Sequence, residues 1–361
     1  MNKVLILNRR CIKHPQRGGA EKYTFVVASL LARNGFDVTW FSSKASTLPK
    51  KETINQVKFI RKGNELTTHF YGLLYSLNNK FDIIIDEFNG VGYFSFLAKK
   101  SLNILLIHQL YNEFWSIELG KIVGQIMKSF EKKLLKLYLK RAKVIVTVSK
   151  STYDDLKKLG FSEVNIIYNG NNISVLKKPT RKNKNLTLCY VGRIKKTKNT
   201  EDVIKAFIYV KDKIDNAILY IMGNGPLLEQ LQKKYAEVKN LFFLGFVDEK
   251  EKIDYLKQSH FLLVPSIREG WGQVVIEANA AGTPAIGYNV HGLRDSIING
   301  KTGFLVNNYI EMANLILNFY DKLESNEYKF LCKNAIEWAS KFKWEKTEKE
   351  WINLVKQLTK N

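Results

Sequence analysis

Apolar residues in this chain fall into short β-rich runs separated by stretches in which they recur at helical spacing, a pattern that predicts alternating strands and helices. The first run is KVLILN, and the segment HPQRGGAEKYTFVVASLLARNGFDVTWFS after it predicts a glycine loop, an amphipathic helix and a second strand. FDIIID (Phe81 to Asp86) and NILLIH (Asn103 to His108) are further strands with polar C-terminal ends. Leu119 to Lys143 reads as one basic amphipathic helix, and VIVTVS (Val144 to Ser149), a helix and NIIYNG (Asn165 to Gly170) complete the first half. The alternation restarts with LTLCYVG (Leu186 to Gly192), a helix from about Thr200 to Asp212, AILYIMG (Ala217 to Gly223) and LFFLGF (Leu241 to Phe246). A strand at Phe261 to Pro265 leads through a glycine loop into a helix from Gln273 to about Ala281, stopped by Gly282 and Pro284. GFLV (Gly303 to Val306) follows, and the tail from Ser325 to Gln357 reads as helical, its Trp338, Trp344 and Trp351 assigned to packing. Alternation of this kind, met twice, predicts two parallel-sheet α/β domains.

A length of 361 residues is consistent with two cores rather than one. The expected division is an N-terminal domain over 1–174 and a polar, basic linker containing Pro179 over 175–185. A C-terminal domain over 186–340 is followed by a last helix over 341–361 packing back on the first domain. No apolar run approaches the roughly 20 residues of a membrane span. The start, MNKVLILNRRC, reads as a buried strand rather than a secretory signal. Cys11, Cys189 and Cys332 are widely spaced, without the pairing of a zinc or redox motif, and point to a reducing cytoplasm.

The net charge of +23 is unevenly spread: residues 1–200 hold 36 Lys and Arg against 13 Asp and Glu, and the remainder 21 against 21. A basic half calls for an anionic partner. No nucleic-acid-binding signature accompanies it, which leaves a phosphorylated substrate or an acidic membrane surface. The Leu119 to Lys143 helix fits either a bilayer face or a core helix with a solvated lysine face.

Several features carry chemistry. Glu269 and Glu277 flank Gly270, Trp271, Gly272 and Gln273, where a glycine loop opens a helix. Such a helix start suits a phosphate, and carboxylates beside it suit hydroxyls; a capping Glu and a solvated Glu are the plainer alternative. Arg193 and Lys198 follow a strand and can point beyond its C-terminal end, as a diphosphate would require. Lys195 and Lys196 read as solvated. Gly18 and Gly19 lie at another strand-to-helix turn, and His108 ends a strand, where ligands sit in open parallel sheets. A tight turn for the glycines and a packing role for His108 stay open.

Taken together these features resemble the glycosyltransferases of family 4, with the GT-B fold: two Rossmann-like parallel-sheet domains facing across a cleft. The residues that carry the resemblance are GGAE (Gly18 to Glu21), His108, VSKSTYDDL (Val148 to Leu156) and YNG (Tyr168 to Gly170). They continue with VGRIKKTKN (Val191 to Asn199), MGNGP (Met222 to Pro226), FLGFV (Phe243 to Val247) and EGWGQVVIEANAAGTPAI. The resemblance implies a retaining, metal-independent enzyme in which Glu269 contacts donor-sugar hydroxyls and Glu277 the ribose. Arg193 and Lys198 would clamp the diphosphate, Gly18 and Gly19 would bring backbone N–H groups to it, and His108 would lie near the reacting sugar. Asn169, Gly223, Phe246, Val247 and the run Gly270 to Gln273 would complete the donor site. The co-substrate would be a UDP- or GDP-sugar with no further cofactor and no metal site. The acceptor would be a glycan or lipid-linked molecule, at a cytoplasmic location or peripherally on the inner membrane face. Asn199, Trp271 and Asn224 depart from the commoner family residues and bear on sugar preference. A nucleotide-sugar epimerase and a non-catalytic partner subunit are the competing expectations.

Overall fold

The computed structural model describes residues 2–360, and the chain divides into two compact units. The first is built from residues up to Asn169 together with Trp344 onward; the second runs unbroken from Gly170 to Lys343.

Unit 1 contains β1 (Lys3–Leu7), α1 (Gly19–Arg33), β2 (Asp37–Ser42), β3 (Lys51–Ile54), β4 (Val57–Arg61), α2 (Thr68–Asn78) and β5 (Ile83–Glu87). It continues with β6 (Leu102–Ile107), α3 (Glu113–Leu119), α4 (Lys121–Leu139), β7 (Val144–Thr147), α5 (Lys150–Lys158) and β8 (Val164–Ile166). Its sheet has the order β3-β4-β2-β1-β5-β6-β7-β8, parallel except for the β3–β4 hairpin. The central strands are buried along nearly their whole length, as expected of parallel strands covered by helices on both faces.

Unit 2 comprises β9 (Thr187–Val191), α6 (Thr200–Lys211), β10 (Ile218–Met222), α7 (Leu228–Lys234), β11 (Leu241–Gly245), α8 (Glu249–Gln258) and β12 (Phe261–Val264). Then come α9 (Gln273–Ala280), β13 (Ala285–Tyr288), α10 (Leu293–Ser296), β14 (Gly303–Val306), α11 (Tyr309–Tyr320) and α12 (Asn326–Ala339). Its six strands are all parallel in the order β11-β10-β9-β12-β13-β14. Its core packs Leu188, Phe207, Leu219, Phe261 and Ile286 between the sheet and its helices. The last helix, α13 (Trp344–Lys360), belongs to unit 1, where buried Trp351 donates from Nε1 to Tyr23 Oη at 2.7 Å.

One sequence expectation needs correction and another a finer boundary. The segment 175–185 is not a free linker but part of unit 2: Leu176 N donates to Ala280 O at 3.0 Å and Asn183 N to Gln258 O at 3.1 Å. Lys182 Nζ donates to Thr283 Oγ1 at 2.6 Å and to Lys257 O at 3.1 Å, and burial pulls this ammonium down to about 8. Lys182 and Asn183 serve internal hydrogen bonds although the segment around them is polar and partly exposed, and the chain leaves unit 1 earlier, after Asn169. The helix expected over Leu119 to Lys143 is present as α4, slightly shorter at both ends; Gly120, whose φ of +83° a helix cannot accommodate, separates it from α3, which was not expected from the sequence. The two helices pack so closely that a Cβ on Gly124 would lie 2.3 Å from Ser116 Cα.

Candidate functional site

In unit 2 the chain moves one way across the sheet from β9 to β11 and the other way from β12 to β14, so strand order reverses between β9 and β12. The crevice at the C-terminal ends of such strands is where open α/β sheets bind ligands. Arg193 and Lys198 stand in the loop after β9, and Ser266 and Glu269 in the loop after β12. Ile267 N donates to Thr197 O at 3.1 Å, tying the two loops together. Lys198 Nζ is ion-paired with Glu269 Oε1, which also accepts from Ser266 Oγ at 2.6 Å. The cation expected at the diphosphate and the carboxylate expected at the sugar are therefore each other's partners.

Helix α9 starts beside this pair. Gly272 caps it with φ +82°, a conformation that disfavours any side chain, and a Cβ there would also meet Ser296 Oγ at 2.9 Å. Gln273 Nε2 donates to Gly170 O at 3.0 Å. One turn further on, buried Glu277 accepts from Lys252 Nζ at 2.9 Å on one oxygen and from Asn172 Nδ2 at 3.1 Å on the other. Burial alone would lower the Lys252 pKa, but Glu277 and Glu249 outweigh it and the net direction is upward. Trp271, expected at the donor, is buried with its ring 4.9 Å from that of Phe342. Gly223 is required by the backbone itself: its φ is +136° and a Cβ would fall 1.9 Å from Gly192 O. Phe246 and Val247 follow β11, and the Phe246 ring is 73% exposed. Gly270 lies in the loop that leads to α9.

The remaining expected residues lie in unit 1. Gly18 and Gly19 form the start of α1, where Gly18 N donates to Glu21 Oε2 at 2.6 Å, so the helix start already holds a carboxylate of its own. Around Gly19 a Cβ would meet nothing within 4 Å. Asn169, the last residue before the crossing, is buried, and its Oδ1 has no hydrogen-bond partner among the described residues. His108 follows β6 and is buried; its ring stands edge-on to Tyr23 at 5.3 Å.

Strand order in unit 1 reverses between β1 and β5, and Asn8 and Glu87 face each other across that point. Asn8 Nδ2 donates to Glu87 Oε2 at 2.5 Å and Thr24 Oγ1 to the same oxygen at 2.6 Å. Glu87 Oε1 lies 3.4 Å from His108 Nε2. Sequence reasoning missed Glu87, Asn8, Thr24, Ser266, Asn172 and Lys252. The Asp86–Glu87 pair ending a buried strand was a usable signal. Lys252 was not visible, because it sits among other charged residues in EKEKIDY.

On α4 the apolar residues divide into two sets. Leu134, Leu135 and Tyr138 are buried, whereas Ile122 (79% exposed), Val123, Ile126 (62%) and Phe130 face outward beside exposed Lys121, Lys132 and Lys133. Buried Glu131 fixes the preceding loop by accepting from Tyr111 N at 2.8 Å, Asn112 N at 3.2 Å and Trp115 Nε1 at 3.0 Å. Among the described residues no helix is long and apolar enough to cross a membrane.

Two family models match adjoining parts of the chain: Glycosyltransferase Family 4 over residues 17–175, and Glycosyl transferases group 1 over residues 173–338. The chain belongs to this family of glycosyltransferases. It is 32% identical to a glycogen synthase of Mycobacterium tuberculosis over 170 residues, 44% of this chain and 40% of that protein. It is 34% identical to the N-acetyl-alpha-D-glucosaminyl L-malate synthase of Bacillus anthracis over 121 residues, 33% of this chain and 31% of that one. The match thus spans well under two thirds of these curated relatives. Among solved structures, sucrose-phosphate synthase from Thermosynechococcus elongatus superposes with a TM-score of 0.80 at 20% identity, covering 99% of both chains. HepE of Anabaena in complex with UDP and glucose gives 0.74 at 15% identity, covering 99% and 100%. These likenesses establish the expected GT-B fold class, with its two parallel-sheet α/β domains.

Proposed function

We propose that this protein is a retaining glycosyltransferase that moves a sugar from a nucleotide diphosphate, UDP or GDP, to a hydroxyl acceptor. The observation that carries the reading is the Lys198–Glu269 pair at the strand-order reversal of unit 2, with Arg193 on the same loop and the start of α9 alongside. Donor entry would exchange partners: Lys198 passes to the diphosphate, and the released Glu269 accepts from sugar hydroxyls. Glu277, held by Lys252 and Asn172, is suited to the ribose. As the anomeric carbon becomes cationic and the diphosphate gains charge, Arg193, Lys198 and the α9 N–H groups stabilise the leaving group, each by about 2–4 kcal/mol. No cofactor beyond the sugar nucleotide enters this scheme.

Thermal stabilisation and nucleotide release with UDP-, GDP- and dTDP-sugars test it. Binding of at least one donor, with Arg193→Ala lowering turnover by about a hundredfold or more, is the expected result. Binding of none, near wild-type turnover by Arg193→Ala, an inverted product anomer, or an isomerised donor without acceptor would each overturn it.

The acceptor in this reading is a lipid-linked or membrane-surface glycan of polysaccharide or glycolipid assembly, met at the inner face of the cell membrane. The outward apolar face of α4 and its flanking lysines support peripheral contact with an anionic bilayer. Co-sedimentation with phosphatidylglycerol vesicles but not phosphatidylcholine vesicles is expected, and equal, negligible binding to both would remove the membrane part.

A further inference from the structure

Glu87 is a fully buried carboxylate at the strand-order reversal of unit 1, and no Lys or Arg is ion-paired with it among the described residues. Its charge is met by neutral donors. Asn8 Nδ2 and Thr24 Oγ1 occupy Oε2 at 2.5 and 2.6 Å, and Asn89 Nδ2 and His108 Nε2 lie 3.4 Å from Oε1. A carboxylate has about four acceptor sites, so these four groups complete its shell only if His108 presents a proton from Nε2. At 3.4 Å the two are in contact without a formed hydrogen bond, and a small rotation of the ring or carboxylate would make one, since catalytic hydrogen bonds are often long or poorly aligned until a substrate is bound.

We infer that Glu87 is a positioning residue: it fixes His108 as the Nε2–H tautomer, so that Nδ1 keeps its lone pair and accepts from a substrate hydroxyl. This rests on the reading of His108 as a site residue. Three further contacts hold the ring and backbone against rotation. Tyr23 packs edge-on at 5.3 Å, Tyr23 Oη donates to Ile167 O at 3.1 Å, and Thr152 Oγ1 donates to His108 O at 3.3 Å. Nε2 is itself buried and forms no hydrogen bond among the described residues, Glu87 Oε1 being the carboxylate oxygen 3.4 Å from it.

Glu87→Gln gives a sharp test because it keeps the shape. With Asn8 and Thr24 both donating to one position, the amide oxygen must lie there, which turns the amide NH₂ toward His108. Nε2 must then accept, and the proton moves to Nδ1. Ring ¹⁵N shifts of the ¹⁵N-histidine-labelled full chain, with His108→Gln to assign the signal, read this directly. The Nε2–H tautomer in the wild type and Nδ1–H in Glu87→Gln are expected. Nδ1–H already in the wild type, or unchanged shifts in the variant, would overturn the inference, and the wild-type reading stands even where the variant fails to fold. With UDP-glucose as probe, Glu87→Gln should lower turnover at least tenfold at unchanged KM. The double variant with His108→Gln should be no slower than His108→Gln alone, whereas additive losses would overturn the linkage. If UDP-glucose and other sugar nucleotides are not turned over at all, it is the proposed activity that fails, and the tautomer result still decides the role of Glu87.

Discussion

Lys252 Nζ lies 2.9 Å from Glu277 Oε2, an ion pair formed between two helices by side chains that are both buried. A buried carboxylate stripped of its cation is costly, because the lost hydration is no longer offset. Lys252→Ala is therefore expected to destabilise unit 2 by about 3 kcal/mol. It should also weaken nucleotide affinity through a misdirected Glu277. Urea unfolding and a nucleotide titration check the two effects; an unchanged unfolding midpoint would show that the pair contributes little.

Gly223→Ala is expected to lower thermal stability sharply without any ligand present. The added Cβ would overlap Gly192 O, and φ +136° is open to glycine alone. A variant that melts like the wild type but binds donor poorly would instead return Gly223 to the donor site.

His260 is buried, and its Nδ1 accepts from Thr187 N at 3.0 Å. Burial, with the nearby Lys182 charge, lowers its pKa to about 4. The unfolded chain takes up this proton near 6.5, so the neutral ring's contribution is complete above pH 6.5. It is lost as pH falls towards 4, in all about 3 kcal/mol. His260→Asn, which keeps an acceptor for Thr187, should flatten the fall of the unfolding midpoint across that window; an identical slope would contradict the assignment.

Trp351→Ala is expected to cost about 3–5 kcal/mol, since the indole is fully buried and its Nε1 holds Tyr23 Oη. Because Tyr23 flanks His108, the His108 ring resonances should shift as well. Trp351→Phe should recover much of the packing without the hydrogen bond.

How much of this was legible in the sequence depended on where each residue's partners lie. Buried parallel strands such as β1, β6, β9 and β10 announce themselves as apolar runs because both faces are covered. The β3–β4 hairpin did not: it is an edge element alternating with Lys51, Glu52 and Lys58, and its turn uses Asn55 and Gln56 at positive φ rather than a glycine. Glu269 and Lys198 could be picked out because glycine loops and strand ends frame them. Lys252 could not, because its partner is 25 residues away and nothing local separates it from its solvated neighbours. Composition misled at 175–185, where a run of polar residues includes Lys182 and Asn183, which are held by hydrogen bonds within the unit.

The bond from Trp351 to Tyr23 joins residues 328 positions apart, and α13 is an integral part of unit 1. Residues 170–343, by contrast, make up unit 2 without outside help from the sequence. During synthesis the second unit can therefore mature first, while the opening 169 residues wait on the ribosome for a helix that seals the wall behind His108. Chains ending at residue 343 and released from the ribosome should carry a finished second unit beside a first one still sensitive to protease.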